Sequence, residues 1–322
     1  MRVLVTGGIG FIGSRVCEKL LRAGHVVGLY DAFISHFPTD SATNPWLIRM
    51  DRIRRAATGS AEAVTLYRGD TRNATEVFRA VQEFAPDAVL HLAAVSGAVP
   101  AARHAMEAMT CAVDGTATLL EALRGRELQR FVYVSSSMVY GDWPDKGKVS
   151  EEYRTKPMDI YGAAKLAGEE TTKGYAAQFQ IPYVVVRPSA VYGPNDNNHR
   201  VVQVFVERAK AGKELVLAGG EEVKLDFTYI DDIADGLILA LCHKDAAFGT
   251  FNMTYGKARS LGELVGALRG SYPDLRLKQA PIRPNTPMRG ALDCSLARNM
   301  LDFHPRFGLE KGLEAYLKQE GK

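Results

Sequence analysis

The 322-residue chain is poor in the features that define several whole classes of protein. It has four cysteines, Cys17, Cys111, Cys242 and Cys294, far apart and without a C-x-x-C spacing. That excludes a thiolate zinc site and a disulfide framework, and it fits a reducing compartment. No metal is expected. No apolar run approaches the roughly 18 residues of a membrane span. Neither charge dominates: 40 basic residues stand interspersed with 37 acidic ones, net +3, so the basic stripe of a nucleic-acid binder is missing. Repeats, low-complexity tracts and long linkers are also missing. The opening "MRVLVTGG" is too short and too soon glycine-rich for a signal peptide, so a cytoplasmic location is expected. What remains, 46% apolar and 24% charged, is ordinary for a globular chain with a full core, and the length predicts about two domains.

What is present is an alternation. "RVLVTGG", "HVVGLYD", "VTLYRGD", "PDAVLHLAA", "RFVYVSSS" and "PYVVVRP" read as six short buried strands. Helical periodicity separates them: a helix from about Ser14 to a C-cap at Gly24, "TEVFRAVQEF", a long stretch from Ala101 to Leu123, and one bearing Tyr161. Apolar strands separated by helices predict a doubly wound parallel α/β sheet. After Arg187 the pattern changes to the loop "YGPNDNNH", a helix near Val201 to Ala211, short strands, and a capping box opening a helix at Ser260. The expected organisation is residues 1–187 plus about 226–255 as one domain, with about 188–225 plus 256–322 as a smaller, interleaved α/β substrate domain.

Gly7, Gly10 and Gly13 in "TGGIGFIG" lie between the first strand and its helix. Lacking side chains there, the backbone and the helix N-terminus can approach a pyrophosphate, as dinucleotide-binding turns do. Asp31 ends the second strand, where an acid can bind both ribose hydroxyls of NAD and repel the 2′-phosphate of NADP; Arg15 is the cation that opposes this reading. Asp70 ends the third strand, where it either accepts the adenine amino group or caps its own turn. Further on, "DIYGAAK" sets Tyr161 and Lys165 four residues apart, on one face of a helix. A phenol is a poor base at its usual pKa of about 10, and a neighbouring cation favours its ionised form.

Taken with "GDTRN", "HLAA", "SSSMVYG", "RPSAVYGP" and "DFTYIDD", these motifs resemble the extended short-chain dehydrogenase/reductase family, in its NAD-dependent nucleotide-sugar epimerase/dehydratase branch. The resemblance covers nearly the whole chain. It implies NAD contacts from Gly7, Gly10, Phe11, Ile12, Gly13, Asp31, Asp70, Thr71, Leu92, Ala93 and Ala94, with Tyr161 and Lys165 at the nicotinamide. It implies Tyr161 as the base that takes a sugar hydroxyl proton. Lys165 binds the nicotinamide ribose and lowers the tyrosine pKa, and Ser136 bonds the same sugar oxygen. Ser135, Ser137, Arg187, Lys224 and Arg289 are the expected substrate contacts, and a homodimer built from the helices near Ala101 to Leu123 and Tyr161 to Gln178 is expected.

Dehydratases of this branch carry Asp-Glu directly after the catalytic hydroxyl; here Ser137 and Met138 stand there and cannot act as acid and base. The expected reaction is therefore inversion at C4 of a nucleotide-linked hexose or hexuronic acid through a transient 4-keto sugar, a hydride leaving to NAD and returning. Ala190, Leu225 and Ala112 depart from the branch where an asparagine, an arginine and an asparagine are usual; the first two hold substrate phosphates. The alternative reading is an NAD-dependent dehydrogenase or reductase of an unlinked sugar or hydroxy acid with exchangeable cofactor. A dehydratase, a decarboxylase and a non-catalytic dinucleotide sensor rank below both.

Overall fold

The computed structural model describes residues 1–37, 44–57, 61–143 and 147–320. Its first half runs β1 (Arg2–Thr6), α1 (Phe11–Arg22), β2 (Val26–Asp31), α2 (Pro45–Ala56), β3 (Val64–Arg68), α3 (Ala74–Phe84), β4 (Ala88–His91), α4 (Ala98–Arg103), α5 (Ala105–Leu123), β5 (Arg130–Val134), β6 (Lys148–Val149), α6 (Ile160–Phe179) and β7 (Tyr183–Arg187). Then follow β8 (Val191–Tyr192), α7 (Val201–Lys210), β9 (Leu215–Ala218), β10 (Lys224–Asp226), β11 (Thr228–Tyr229), α8 (Ile230–Cys242), β12 (Gly249–Asn252), β13 (Ala258–Ser260), α9 (Leu261–Arg269), β14 (Leu277–Ala280), β15 (Ala291–Leu292), α10 (Ser295–Leu301) and α11 (Leu309–Gln319).

Seven strands form one sheet in the order β3-β2-β1-β4-β5-β7-β12, every neighbouring pair parallel. The central strands need cover on both faces, and their sequences supply it: Val3, Leu4 and Val5 of β1, and Val89 and Leu90 of β4, are all fully buried. The order reverses between β1 and β4, so their C-terminal ends open a crevice, the usual ligand site of such sheets. His91 closes β4 there; Thr6 Oγ1 lies 2.6 Å from its Nδ1 and Thr116 Oγ1 3.1 Å from Nε2. Burial lowers its pKa to about 3, so this histidine is a neutral stitch between β1, β4 and α5.

Outside the sheet, the later segments form small two-stranded pairs, β9 with β14, β10 with β13, and β15 with β6. One apolar cluster runs from Val3 and Val186 in the sheet to Leu264, Leu313 and Tyr316 beyond it.

Three boundaries differ from expectation. α1 starts at Phe11, capped by Gly10 with no side-chain hydrogen bond, so Ser14 is not its cap but sits inside it and donates to the Phe11 carbonyl. The stretch 101–123 is two helices, broken at His104, whose φ of −126° and ψ of 54° are not helical. α2 was not anticipated, although Asn44 capping the Trp46 amide and Pro45 in the first turn form a recognisable start signal. The box at Ser260 is present, with both reciprocal bonds to Glu263.

Candidate active site

The crevice between β1 and β4 widens into a cleft with about 1130 Å³ of atom-free space. Gly7, Gly10, Phe11, Ile12, Gly13, Asp31, Asp70, Thr71, Leu92, Ala93 and Ala94 all line it. The glycines are required by the loop itself. Gly7 has φ +67°, and a Cβ on it would sit 3.0 Å from the Ala93 amide nitrogen. A methyl on Gly13 would run into the Gly7 carbonyl oxygen.

Two features fit this end of the cleft to a dinucleotide. The first turn of α1 has neither a capping side chain nor an acidic residue, so its amides remain available to a phosphate. Asp31 accepts from the Ile9 amide (3.0 Å) and the Phe33 amide (2.8 Å), which aims its carboxylate at the cleft wall. Burial raises its pKa, with those two amides acting against the rise. Arg15 faces away from the cleft, paired to Asp231 and Glu18. Asp70 is bound to Arg72, by Nη2 at 2.6 Å and by the backbone amide at 2.9 Å, which lowers its pKa; it caps its own turn and also lines the cleft.

Next to the cleft, but not among the residues that line it, stands the Tyr161 group. Asp159 caps α6 by accepting from the Gly162 amide at 2.7 Å, which fixes the helix start and places Tyr161 and Lys165 in its first two turns. The Tyr161 ring packs against a cluster that includes Val95, a cleft-lining residue. Ser136 Oγ accepts from the Met138 amide at 3.2 Å, which leaves its own hydrogen to donate towards the phenol. Lys165, 5% exposed, donates to the Val134 carbonyl at 2.8 Å and lies 5.3 Å from the Tyr133 ring centre. Desolvation lowers its pKa to about 8, against the attraction of Glu169.

Lys165 is not among the groups that act most on the Tyr161 phenol. Burial holds the phenol above its ordinary value, and the groups opposing that rise are Arg200, the Ser136 hydroxyl and Arg289, while Asp159 adds to it.

Arg187 and Ser135 do not face substrate space. Arg187 is 4% exposed and forms a bidentate pair with the fully buried Glu169, Nε to Oε1 at 2.9 Å and Nη2 to Oε2 at 2.6 Å. It also donates to the Tyr140 hydroxyl, and Ser135 donates to Glu169. An arginine at the end of a buried strand is held by the nearest buried carboxylate, so its role is to fasten β7 to α6. Lys224 is exposed on β10 and does not line the cleft. Ser137 and Arg289 do meet, with Nη1 3.5 Å from Oγ.

Two further arginines stand at the site, Arg49 on the unanticipated α2 and Arg200 at the end of the polar loop after Pro194. Arg49, 2% exposed on α2, donates to the carbonyls of Ile9 (3.2 Å) and Asn195 (2.6 Å) and to Asn197 Oδ1 (2.7 Å); burial brings its pKa down to about 10. Arg200 pairs with Asp196 at 3.1 Å and donates to Ser96 at 3.0 Å. The Asn44-Pro45 start signal would have placed Arg49 on a helix, though not against the glycine loop.

The family model described as NAD dependent epimerase/dehydratase family matches residues 3–253. A UDP-glucose 4-epimerase from Mycolicibacterium smegmatis is 30% identical, across 97% of this chain and 96% of its own. A dTDP-glucose 4,6-dehydratase from Xanthomonas campestris is 27% identical, across 96% and 90%. Among solved structures, UDP-glucuronic acid 4-epimerase from Bacillus cereus, in complex with UDP-glucuronic acid and NAD, matches with a TM-score of 0.89 at 31% identity. That match covers 99% of this chain and 100% of the other. Among the described residues no helix is long and apolar enough to cross a membrane, and none group as a metal site.

Proposed function

Because the chain belongs to the NAD dependent epimerase/dehydratase family, with NAD as its cofactor, we propose that it inverts C4 of a nucleotide-linked hexose or hexuronic acid. When bound, NAD supplies a hydride acceptor and donor. The chain's own residues do the rest. Tyr161 takes the C4 hydroxyl proton as the carbon is oxidised and returns it when the opposite face is reduced. Ser136 holds the same oxygen, and Arg200 and Arg289 favour the ionised phenol. Lys165, fixed by the Val134 carbonyl, orients the nicotinamide ribose. Gly7, Gly10, Gly13, Asp31, Asp70 and Thr71 hold the rest of the dinucleotide. We also propose a homodimer through α5 and α6, and a division into 1–187 plus 226–255 and 188–225 plus 256–322.

The observation that carries this choice within the family is the turn after Ser136. Elimination of water needs an acid and a base beside the neighbouring carbons. Ser137 and Met138 there supply neither, and the cation Arg289 is the charged group beside Ser137. Epimerisation needs only reversible oxidation. The test is to count the nucleotide released from denatured protein and then follow UDP-sugars by proton NMR. About one NAD per chain and a C4-inverted product are expected. A 4-keto-6-deoxy product, or net accumulation of NADH, would sink the reading; the second favours the dehydrogenase alternative, to which loss of phosphate ligands at Ala190 and Leu225 is no handicap.

A further inference from the structure

Among the described residues of the site, Arg289 is the one cation left without a close partner for its charge. Its Nε is buried without a hydrogen-bond partner, and its Nη1 reaches only the Ser137 hydroxyl, at 3.5 Å. No carboxylate among the described residues lies within ion-pair distance of it. The other cations are all engaged: Arg187 by Glu169, Arg200 by Asp196, Lys165 by the Val134 carbonyl, and Arg49 by three oxygens. Arg289 as a whole is partly exposed, but its enclosed Nε lacks an acceptor, which is costly and is retained where a ligand brings the counter-charge.

Its position limits which part of a ligand can bring it. Arg289 adjoins Ser137, next to Ser136, and its charge is felt at Tyr161. Among the described residues the acid whose charge it feels is Asp159, which has one oxygen committed to the Gly162 amide. If Tyr161 marks the oxygen on C4, the groups within reach of Arg289 are those on C3 and C5. The phosphate on C1 lies across the sugar ring from C4, towards the nucleotide.

We propose that Arg289, with Ser137, forms a carboxylate site for C6 of the sugar, so that the substrate is a nucleotide-linked hexuronic acid rather than a neutral hexose. This rests on the reading above only in taking Tyr161 to mark C4. A guanidinium beside a planar carboxylate can bond both oxygens, which explains why an arginine, rather than a neutral donor, stands beside Ser137.

The experiment is calorimetric. UDP-glucuronate and UDP-glucose are titrated into NAD-loaded Tyr161→Phe protein, which permits no turnover, and into the same protein carrying Arg289→Ala or Arg289→Lys, with NAD content and melting as fold checks. The expected result is that UDP-glucuronate binds about 10- to 100-fold more tightly, the scale of a charged hydrogen bond. Arg289→Ala should erase that preference, and Arg289→Lys should keep part of it. Equal binding of the two sugars overturns the proposal even if both Arg289 variants unfold. So does an equal loss for both in Arg289→Ala, which would assign the guanidinium to a phosphate the two share. A preference for the hexuronate with no interconversion by the wild type leaves this site standing and removes the epimerase reading. Failure to bind either sugar removes both.

Discussion

At the glycine-loop end the cleft is walled by backbone: Gly7 against Ala93, Gly13 against the Gly7 carbonyl, and Asp31 bridging two amides. Around the tyrosine the arrangement is set by long charged side chains: Arg200 takes Asp196, Arg289 reaches Ser137, and behind them Arg187 takes Glu169. The first wall has little freedom, because a main chain can pass so close to itself in few ways. The second is decided by which carboxylates burial leaves within reach. That is why spacing alone located one wall and not the other.

The sharpest test of the tyrosine end is Tyr161→Phe. Removing the phenol should lower turnover by about 100- to 10,000-fold while NAD content stays near wild type. Retained turnover would move the base elsewhere. Next comes the buried pair behind it. Arg187→Ala leaves Glu169 as a charge with no exposed surface, and should cost about 3–5 kcal/mol in denaturant unfolding. A stable Arg187→Ala protein with impaired substrate binding would restore the role first expected of it. At the glycine end, Gly13→Ala forces a methyl against the Gly7 carbonyl and should cost about 1–3 kcal/mol; release of NAD without loss of stability would mean that the loop yields and the ligand alone needs the space.

The smallest effect concerns Asp226, fully buried where β10 meets the loop after β12. It accepts from Thr254 Oγ1 and from the amides of Gly256 and Leu292, yet burial outweighs these and raises its pKa to about 6, above the usual 3.8. A raised carboxyl pKa means that the folded state binds the proton more tightly. Its contribution is therefore fully present below about pH 3.8 and lost as pH rises through about 6. Thermal melts of Asp226→Asn should lack this part of the slope between those values; an unchanged slope would show that the three donors win.

The same division explains what could be read in advance. The strands were plain because β1, β4, β5 and β7 are apolar on both faces, and the start of α6 was plain because Asp159 and Pro157 mark it. The start of α1 lies three residues before the expected Ser14 because Gly10 caps it without a side chain and so leaves no local signal. Arg187 was misassigned because its partner, Glu169, is 18 residues away on another element. Arg49 went unseen because nothing local ties α2 to residues 195–197.

That arginine has a consequence for how the two loops behave together. One guanidinium holds the Ile9 carbonyl of the glycine loop and, with its other nitrogen, Asn195 and Asn197 of the loop after β8. Neither loop can shift alone without leaving a buried cation short of an acceptor. One side chain thus makes the two loops a single mechanical unit, so that a displacement of either is resisted at the other.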